Sequence, residues 1–330
     1  MRTRLKHLAA IAVSTLTVAA SALAGEPIDI KYKWTKGDVV TYRMVQDTTA
    51  TTTVPGQAPM SMTQKFTSTT RMEVQDVAED GAATVRSITE AVRVESKAPM
   101  MGEMVYDSSD PNAAKPDNPM SAVFDAMIGE GFIMVITPGG EIRSVEGMDK
   151  LLDKMADQVG GPMGVEAIKK NMGDEAMRGT MDQAFKMWAR EGIEPGESWT
   201  GTLQQKLPMV GTMKMDATMT LKEVTQTDGL RLARIAHVIK TSFEPDNEGA
   251  MPGMTMTMEP ATSEGETLFD LDRGQLYRME MSMPMPLTVT MNQGGQTMTM
   301  KQDMTTKMVM QRVENTPQAK DKAPAEKPGS

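Results

Sequence analysis

The chain has 330 residues, no cysteine, two histidines and 36 methionines, with 35 Lys/Arg against 44 Asp/Glu and a net charge of −9. Without thiols and with so few imidazoles it cannot build a disulfide framework, a zinc finger, an iron–sulfur centre, a thiol nucleophile or a histidine-cluster metal site. Acidic and basic residues are interspersed, so no basic patch offers itself to nucleic acid or to an anionic membrane, and the acidic excess reads as solubility.

Residues 1–24 open with Arg2, Arg4 and Lys6. An apolar run begins at Leu8, and the segment ends on Ala22, Leu23 and Ala24 before Gly25. This is the pattern of a secretory signal peptide with a small-residue cleavage site. The run is too short to span a bilayer, and no later stretch is long and apolar enough to do so. The expected product is exported, periplasmic or extracellular. It carries 32 Lys/Arg against 44 Asp/Glu, a net −12.

From Ile28 to Trp34 the chain alternates strictly, which places Ile28, Ile30, Tyr32 and Trp34 on one face of a strand. A turn at Lys36, Gly37 and Asp38 leads into a strand over 39–44. The Thr-rich residues 46–60, with Pro55-Gly56, read as a hairpin tip or loop. A strand over 66–77 and its return over 82–95 follow. The apolar parity of the return changes between Val85 and Ile88, which predicts a bulge.

Asn118 and Pro119 look like an N-cap and first helical residue, opening a short helix to about Ile128. Phe132 to Ile136 is apolar on both faces and reads as a buried strand, with 141–145 as its partner. Met148, Leu151, Leu152 and Met155 keep helical spacing. Val165, Ile168 and Met172 mark a second short helix. Met177, Met181, Ala184, Phe185 and Trp188 mark a third, stopped by Gly192 and Pro195. Strands resume from Glu197. Met213, Met215, Ala217, Met219 and Leu221 alternate with polar residues, and the last strands are 230–243, 267–271, 276–291 and 297–313. Pro284 predicts an edge or a bulge in its strand. The Pro/Lys-rich tail, residues 314–330, cannot bury apolar area and is expected to be disordered.

These elements predict an α+β fold, mainly antiparallel β. Long curved strands would form a half-barrel or a sandwich in one domain over 25–313, with a helical insert at about 119–190. The run Lys31-Tyr32-Lys33-Trp34-Thr35-Lys36-Gly37-Asp38, followed by Tyr42, resembles the opening of an exported bacterial family of unknown function. The segment 132–147 and the hairpin from Phe269 to Gly274 are similar as well. The resemblance implies a secreted, mainly β fold and carries no catalytic residues. The layout is more distantly similar to periplasmic lipoprotein carriers, in which a curved sheet and covering helices enclose an apolar cavity.

Methionine is the dominant large apolar residue. After the signal segment it outnumbers Leu and Ile together. Its alternation with Thr reads first as core filling. Thioethers also re-pack around varied shapes, so a Met-rich face suits a lipophilic ligand or an apolar partner such as an envelope protein. They are soft ligands for Cu(I) too. The candidates for that ion are Met251, Met254, Met256 and Met258, because Gly249, Pro252, Gly253 and Pro260 predict a loop that gathers sulfurs. His237 shares parity with Ala233, Ile235 and Ile239 and reads as a satisfied core histidine. Asp270, Asp272 and Gly274 imitate the start of a calcium loop, but Met281 stands where the closing Glu belongs. With no phosphate loop, dinucleotide fingerprint or nucleophile elbow, the expected protein is a non-enzymatic binder without a cofactor, or a structural, envelope-associated protein.

Overall fold

Period-two patterning runs through most of the chain and is realised as one antiparallel sheet of 13 strands, with a second sheet of two. The computed structural model describes residues 26–99, 102–110, 119–159, 173–207, 211–245, 254–293 and 296–313. The expected signal segment, the helix around Val165 and Ile168, Met251 and the tail 314–330 lie outside the described residues.

In chain order the strands are β1 (Ile28–Ile30), β2 (Val39–Thr53), β3 (Met60–Val77), β4 (Ala83–Ala98), β5 (Gly102–Asp107), β6 (Gly131–Ile136), β7 (Ile142–Glu146), β8 (Arg190–Ile193), β9 (Ser198–Leu207), β10 (Gly211–Thr227), β11 (Leu230–Pro245), β12 (Met254–Met258), β13 (Ala261–Asp270), β14 (Gln275–Gln293) and β15 (Gln296–Val313). The described helices are α1 (Pro119–Met127), α2 (Met148–Val159) and α3 (Asp174–Trp188).

The large sheet runs β7-β6-β4-β3-β2-β15-β14-β13-β11-β10-β9. It is two meanders, one from each half of the chain, joined where β2 pairs with β15. β5 extends the ladder of β4 beyond β6, and β12 extends that of β14 beyond β13. Of the two expected architectures, the structure is a curved open sheet and not a sandwich.

The edges β7 and β9 do not pair with each other, and α3 lies between them. Asp182 Oδ1 accepts from the Ile142 amide at 3.0 Å, on β7. Gln183 Oε1 accepts from the Gln204 amide at 2.9 Å, on β9. The Trp199 indole donates to the Met187 carbonyl at 2.9 Å. Helix side chains thus take over part of the hydrogen bonding that a closing strand would supply. Two glycines permit this approach. A Cβ on Gly140, which has φ +82°, would sit 2.7 Å from the main chain of Phe185; one on Gly201 would sit 2.8 Å from Met187 Cγ.

The N-terminal segment closes one end of the half-barrel. β1 pairs with β8. Tyr32 then donates its amide to Pro138 O at 2.9 Å, and Lys33 donates to Gly274 O at 3.2 Å. The ladder covers only Ile28–Ile30, shorter than expected, but the predicted face holds: Ile28, Ile30 and Tyr32 are buried and Trp34 is half-buried. The main core lies between the concave sheet face, this segment, α2 and α3. A smaller one packs Val92, Val94 and Tyr106 under Phe124 of α1. Asp174 and Asp149 cap each other's helices. Asp174 Oδ1 accepts from the Met148 amide at 2.7 Å, and Asp149 Oδ1 accepts from the Asp174 amide at 3.2 Å.

Three expectations are corrected. Residues 46–53 are strand, not loop: β2 continues to Thr53 because β-branched Thr suits a pleated surface and pairs across it. Thr48 and Thr306 Oγ1 lie 2.9 Å apart, and Thr51 Oγ1 and Ser61 Oγ 3.3 Å apart. The predicted bulge in β4 falls at Glu90, which has no partner between the Thr70–Thr89 and Thr69–Ala91 pairs. Residues 254–258, expected as a loop, form β12. Pro284 and Pro286 explain the place of that strand. They stand where β14 has passed the end of β13 and not yet reached β12, so the amides they lack would have had no ladder to join.

Candidate functional site

The concave face of the sheet is where the methionines gather. Cross-strand rows run Met279–Met310–Met44–Ser68, Met281–Met308–Gln46–Phe66 and Met285–Met304–Ala50–Met62 across β14, β15, β2 and β3. In the second row Gln46 Nε2 donates to the sulfurs of Met44 and Met308, both at 3.7 Å. On these strands the methionines share one sheet face, as the Thr/Met alternation predicted.

Where the first of these rows passes beneath α3, the sheet and helix do not fill the space between them. A partly enclosed cavity of about 320 Å³ remains. The sheet contributes Met44, Met72, Met134, Phe269, Met279 and Met310; α3 contributes Met181, Ala184, Phe185 and Trp188; the N-terminal segment contributes Tyr32 and Trp34. Tyr32 meets Phe185 at 5.4 Å and Phe269 edge-on at 5.9 Å, and it stacks with Trp34 at 6.4 Å. Its hydroxyl donates to the Phe185 carbonyl at 3.2 Å, which ties the segment to the helix. Burial pushes the phenols of Tyr32 and Tyr42 far above their ordinary range. Both stay neutral, and none of the lining residues carries a charge. The volume falls at the lower end of the range for small-molecule pockets, which are apolar with a few placed polar groups.

His237 is 2% exposed, on the inner face of β11, with its ring 5.4 Å from that of Trp188 in an edge contact. Neither ring nitrogen has a partner at hydrogen-bond distance. Burial lowers its pKa, and the neighbouring Glu266 opposes this only in part. It lies in the core as its parity predicted, but without the hydrogen bonds expected of a satisfied core histidine. Asp270 is taken up by its own turn: Oδ1 accepts from the Asp272 and Arg273 amides at 3.1 and 3.0 Å, and Oδ2 pairs with Arg312 at 2.9 Å. Both partners are buried, at 0% and 3% exposure. The carboxylate that imitated a calcium ligand is thus a turn anchor.

Of the copper candidates, Met251 lies outside the described residues. Met254, Met256 and Met258 sit on one strand opposite Met291, Val289 and Leu287. Alternate residues of a strand are about 6.8 Å apart along its axis, so β12 spreads these three positions and does not fold them around a point. Among the described residues no group of three or more His, Asp or Glu side chains is placed to hold a metal ion.

The cavity could not be read from the sequence, because its walls come from residues as far apart as Tyr32 and Met310. The signals that pointed toward it were the same-parity methionines and the aromatic side of the opening segment.

A curved antiparallel sheet, bridged by a helix over an uncharged cavity, defines the class of protein to which this chain conforms: a helix-covered half-barrel. The chain belongs to a family of unknown function, DUF6263, whose model matches residues 80–276. No curated protein matches it. Among solved structures it is similar to lipovitellin, studied for lipid–protein interactions, at 9% identity and a TM-score of 0.39 over 87% of this chain; it spans 27% of the lipovitellin chain. It is also similar to DynF from the dynemicin biosynthesis pathway of Micromonospora chersina, at 8% identity and a TM-score of 0.20, covering 86% of this chain and 88% of that one. An outer membrane channel from Pseudomonas putida F1 gives 6% identity and 0.22, covering 86% and 97%.

Proposed function

We propose that this protein binds a small lipophilic ligand in the cavity between the concave sheet face and α3, and does so without catalysing a reaction on it. The observation that carries the reading is the cavity itself. It is walled by thioether and aromatic side chains in a chain long enough to have packed that space solid. Methionine suits the task because its unbranched side chain adjusts to ligand shape at little cost. The proposal includes export, which the charged opening and small-residue end of residues 1–24 support.

Native mass spectrometry of freshly purified protein, together with titration by the neutral dye Nile red, tests it. The expected result is a co-purifying adduct or dye binding. The substitution Ala184→Trp, which fills the cavity from α3, is expected to weaken dye binding about tenfold or more while the circular dichroism spectrum is kept. A ligand-free protein that ignores the dye would refute the proposal, as would undiminished binding in a folded Ala184→Trp variant.

A further inference from the structure

Where β2 meets β15, the methionine face carries a glutamine, and two sulfurs converge on it. Met44 stands directly opposite Met310, and Gln46 directly opposite Met308, so these four positions form a square on one face of the sheet. Opposite residues lie about 4.5–5.5 Å apart, and alternate residues of one strand about 6.8 Å. Both distances are within reach of an unbranched side chain with three rotatable bonds. Gln46 Nε2 donates to the Met44 sulfur and to the Met308 sulfur, each at 3.7 Å. The amide thus holds sulfurs from two strands aimed at one place, where flexible thioethers would otherwise disperse. Met44, Gln46, Met308 and Met310 are all half-buried, so none of them is sealed from solvent. The contrast with β12 is one of direction. There the methionines follow one another along a strand and keep their spacing; here they face each other across a ladder.

The donor set decides what fits. Thioethers are soft, uncharged ligands, and the glutamine amide, turned over, presents Oε1 where Nε2 now lies. Four neutral donors cannot offset the charge of a divalent ion, and among the described residues no cluster of three or more His, Asp or Glu is placed to do so. Calcium and magnesium are hard ions that take oxygen ligands, carboxylates above all. A soft monovalent cation loses less on leaving water and suits sulfur. We propose that Met44, Met308 and Met310, with the Gln46 amide, form a binding site for Cu(I) at the seam of the two meanders. Met44 and Met310 also line the cavity, yet binding of the ion needs no lipophile there.

Anaerobic titration of the full chain with Cu(I), in competition with the chelator bicinchoninate, tests this. One equivalent is expected to pass from the chelator to the protein. The X-ray absorption spectrum of the loaded protein is expected to show a first shell dominated by sulfur. Met308→Leu and Met310→Leu keep volume and apolar character, and each is expected to weaken Cu(I) binding about tenfold or more through the loss of a donor. Gln46→Leu should weaken it as well, whereas Gln46→Met, which supplies a further sulfur, should retain it. Met258→Leu, on β12, should change nothing. Unchanged affinity in the folded Met308→Leu and Met310→Leu variants would overturn the proposal, as would an equal loss in Met258→Leu. Unchanged affinity in Gln46→Leu would overturn the part given to the amide. A parent protein that takes no Cu(I) from the chelator, that binds Zn(II) as tightly, or that shows a shell of oxygen and nitrogen alone would also overturn it. The titration and the spectrum of the parent protein decide the matter even where a variant does not fold.

Discussion

His237 shows how a single side chain can make an otherwise insensitive fold respond to acid. Its ring is buried under Trp188, and desolvation holds its pKa below the ordinary value of 6.5. In the unfolded chain the imidazole takes up a proton at the ordinary value. Below that pH the unfolded state binds more protons than the folded one, and stability falls as pH falls. Above it, both states are neutral there and the effect vanishes. Thermal melts at pH 7.5 and pH 5 are expected to show a drop that His237→Leu reduces; an identical drop in the variant would remove this explanation. Parity alone marked this residue as internal, since a lone histidine among Ala233, Ile235 and Ile239 has to face the same interior as they do. The unpaired state of its nitrogens was invisible, because it depends on what β10, β13 and α3 place around the ring.

Strands were legible in the sequence wherever one face was apolar, and hidden where both faces were polar or where a Pro/Gly boundary suggested a loop. β2 beyond Met44 presents Gln46 and Thr48 inward, so its amphipathic signal fades although its β-propensity does not. β12 is strand because β14, having outrun β13, offers it an unpaired edge. Neither condition is a local property of the sequence. The docking of α3 is the clearest case. Its apolar stripe was legible at helical spacing, but its position between two sheet edges depends on bare main chain at Gly140 and Gly201, far apart in sequence. Gly140→Ala is expected to cost about 2 kcal/mol or more in denaturant unfolding, because it combines an unfavourable φ with a main-chain clash. Gly201→Ala should cost less, since Met187 is a flexible neighbour. A reversed order would mean that α3 is not seated as described.

For the whole molecule, the two meanders pair strand to strand, among the described residues, along β2 and β15, and the buried Arg312–Asp270 pair fastens β15 to the turn that follows β13. Removing one partner of such a pair leaves an uncompensated charge in the interior. Asp270→Ala is therefore expected to destabilise the protein by about 3–5 kcal/mol, read from the shift in the urea midpoint. A loss below about 1 kcal/mol would show that the pair is solvated. The architecture as a class was legible from alternation and turn spacing. The seam was not, because nothing local marks residues near both ends of a chain as neighbours.

That seam has a consequence in time. A strand made early must wait for the last described strand before the centre of the sheet exists, so nearly the whole chain has to be present before its middle can form. Loop closure over such a span is slow, and the waiting half exposes the long edge of β2. The Thr, Gln and Asp residues that dilute β2 beyond Met44 make that edge a poorer template for the wrong partner. The same polar character that hid the strand from sequence reading would guard the chain while its sheet stands incomplete.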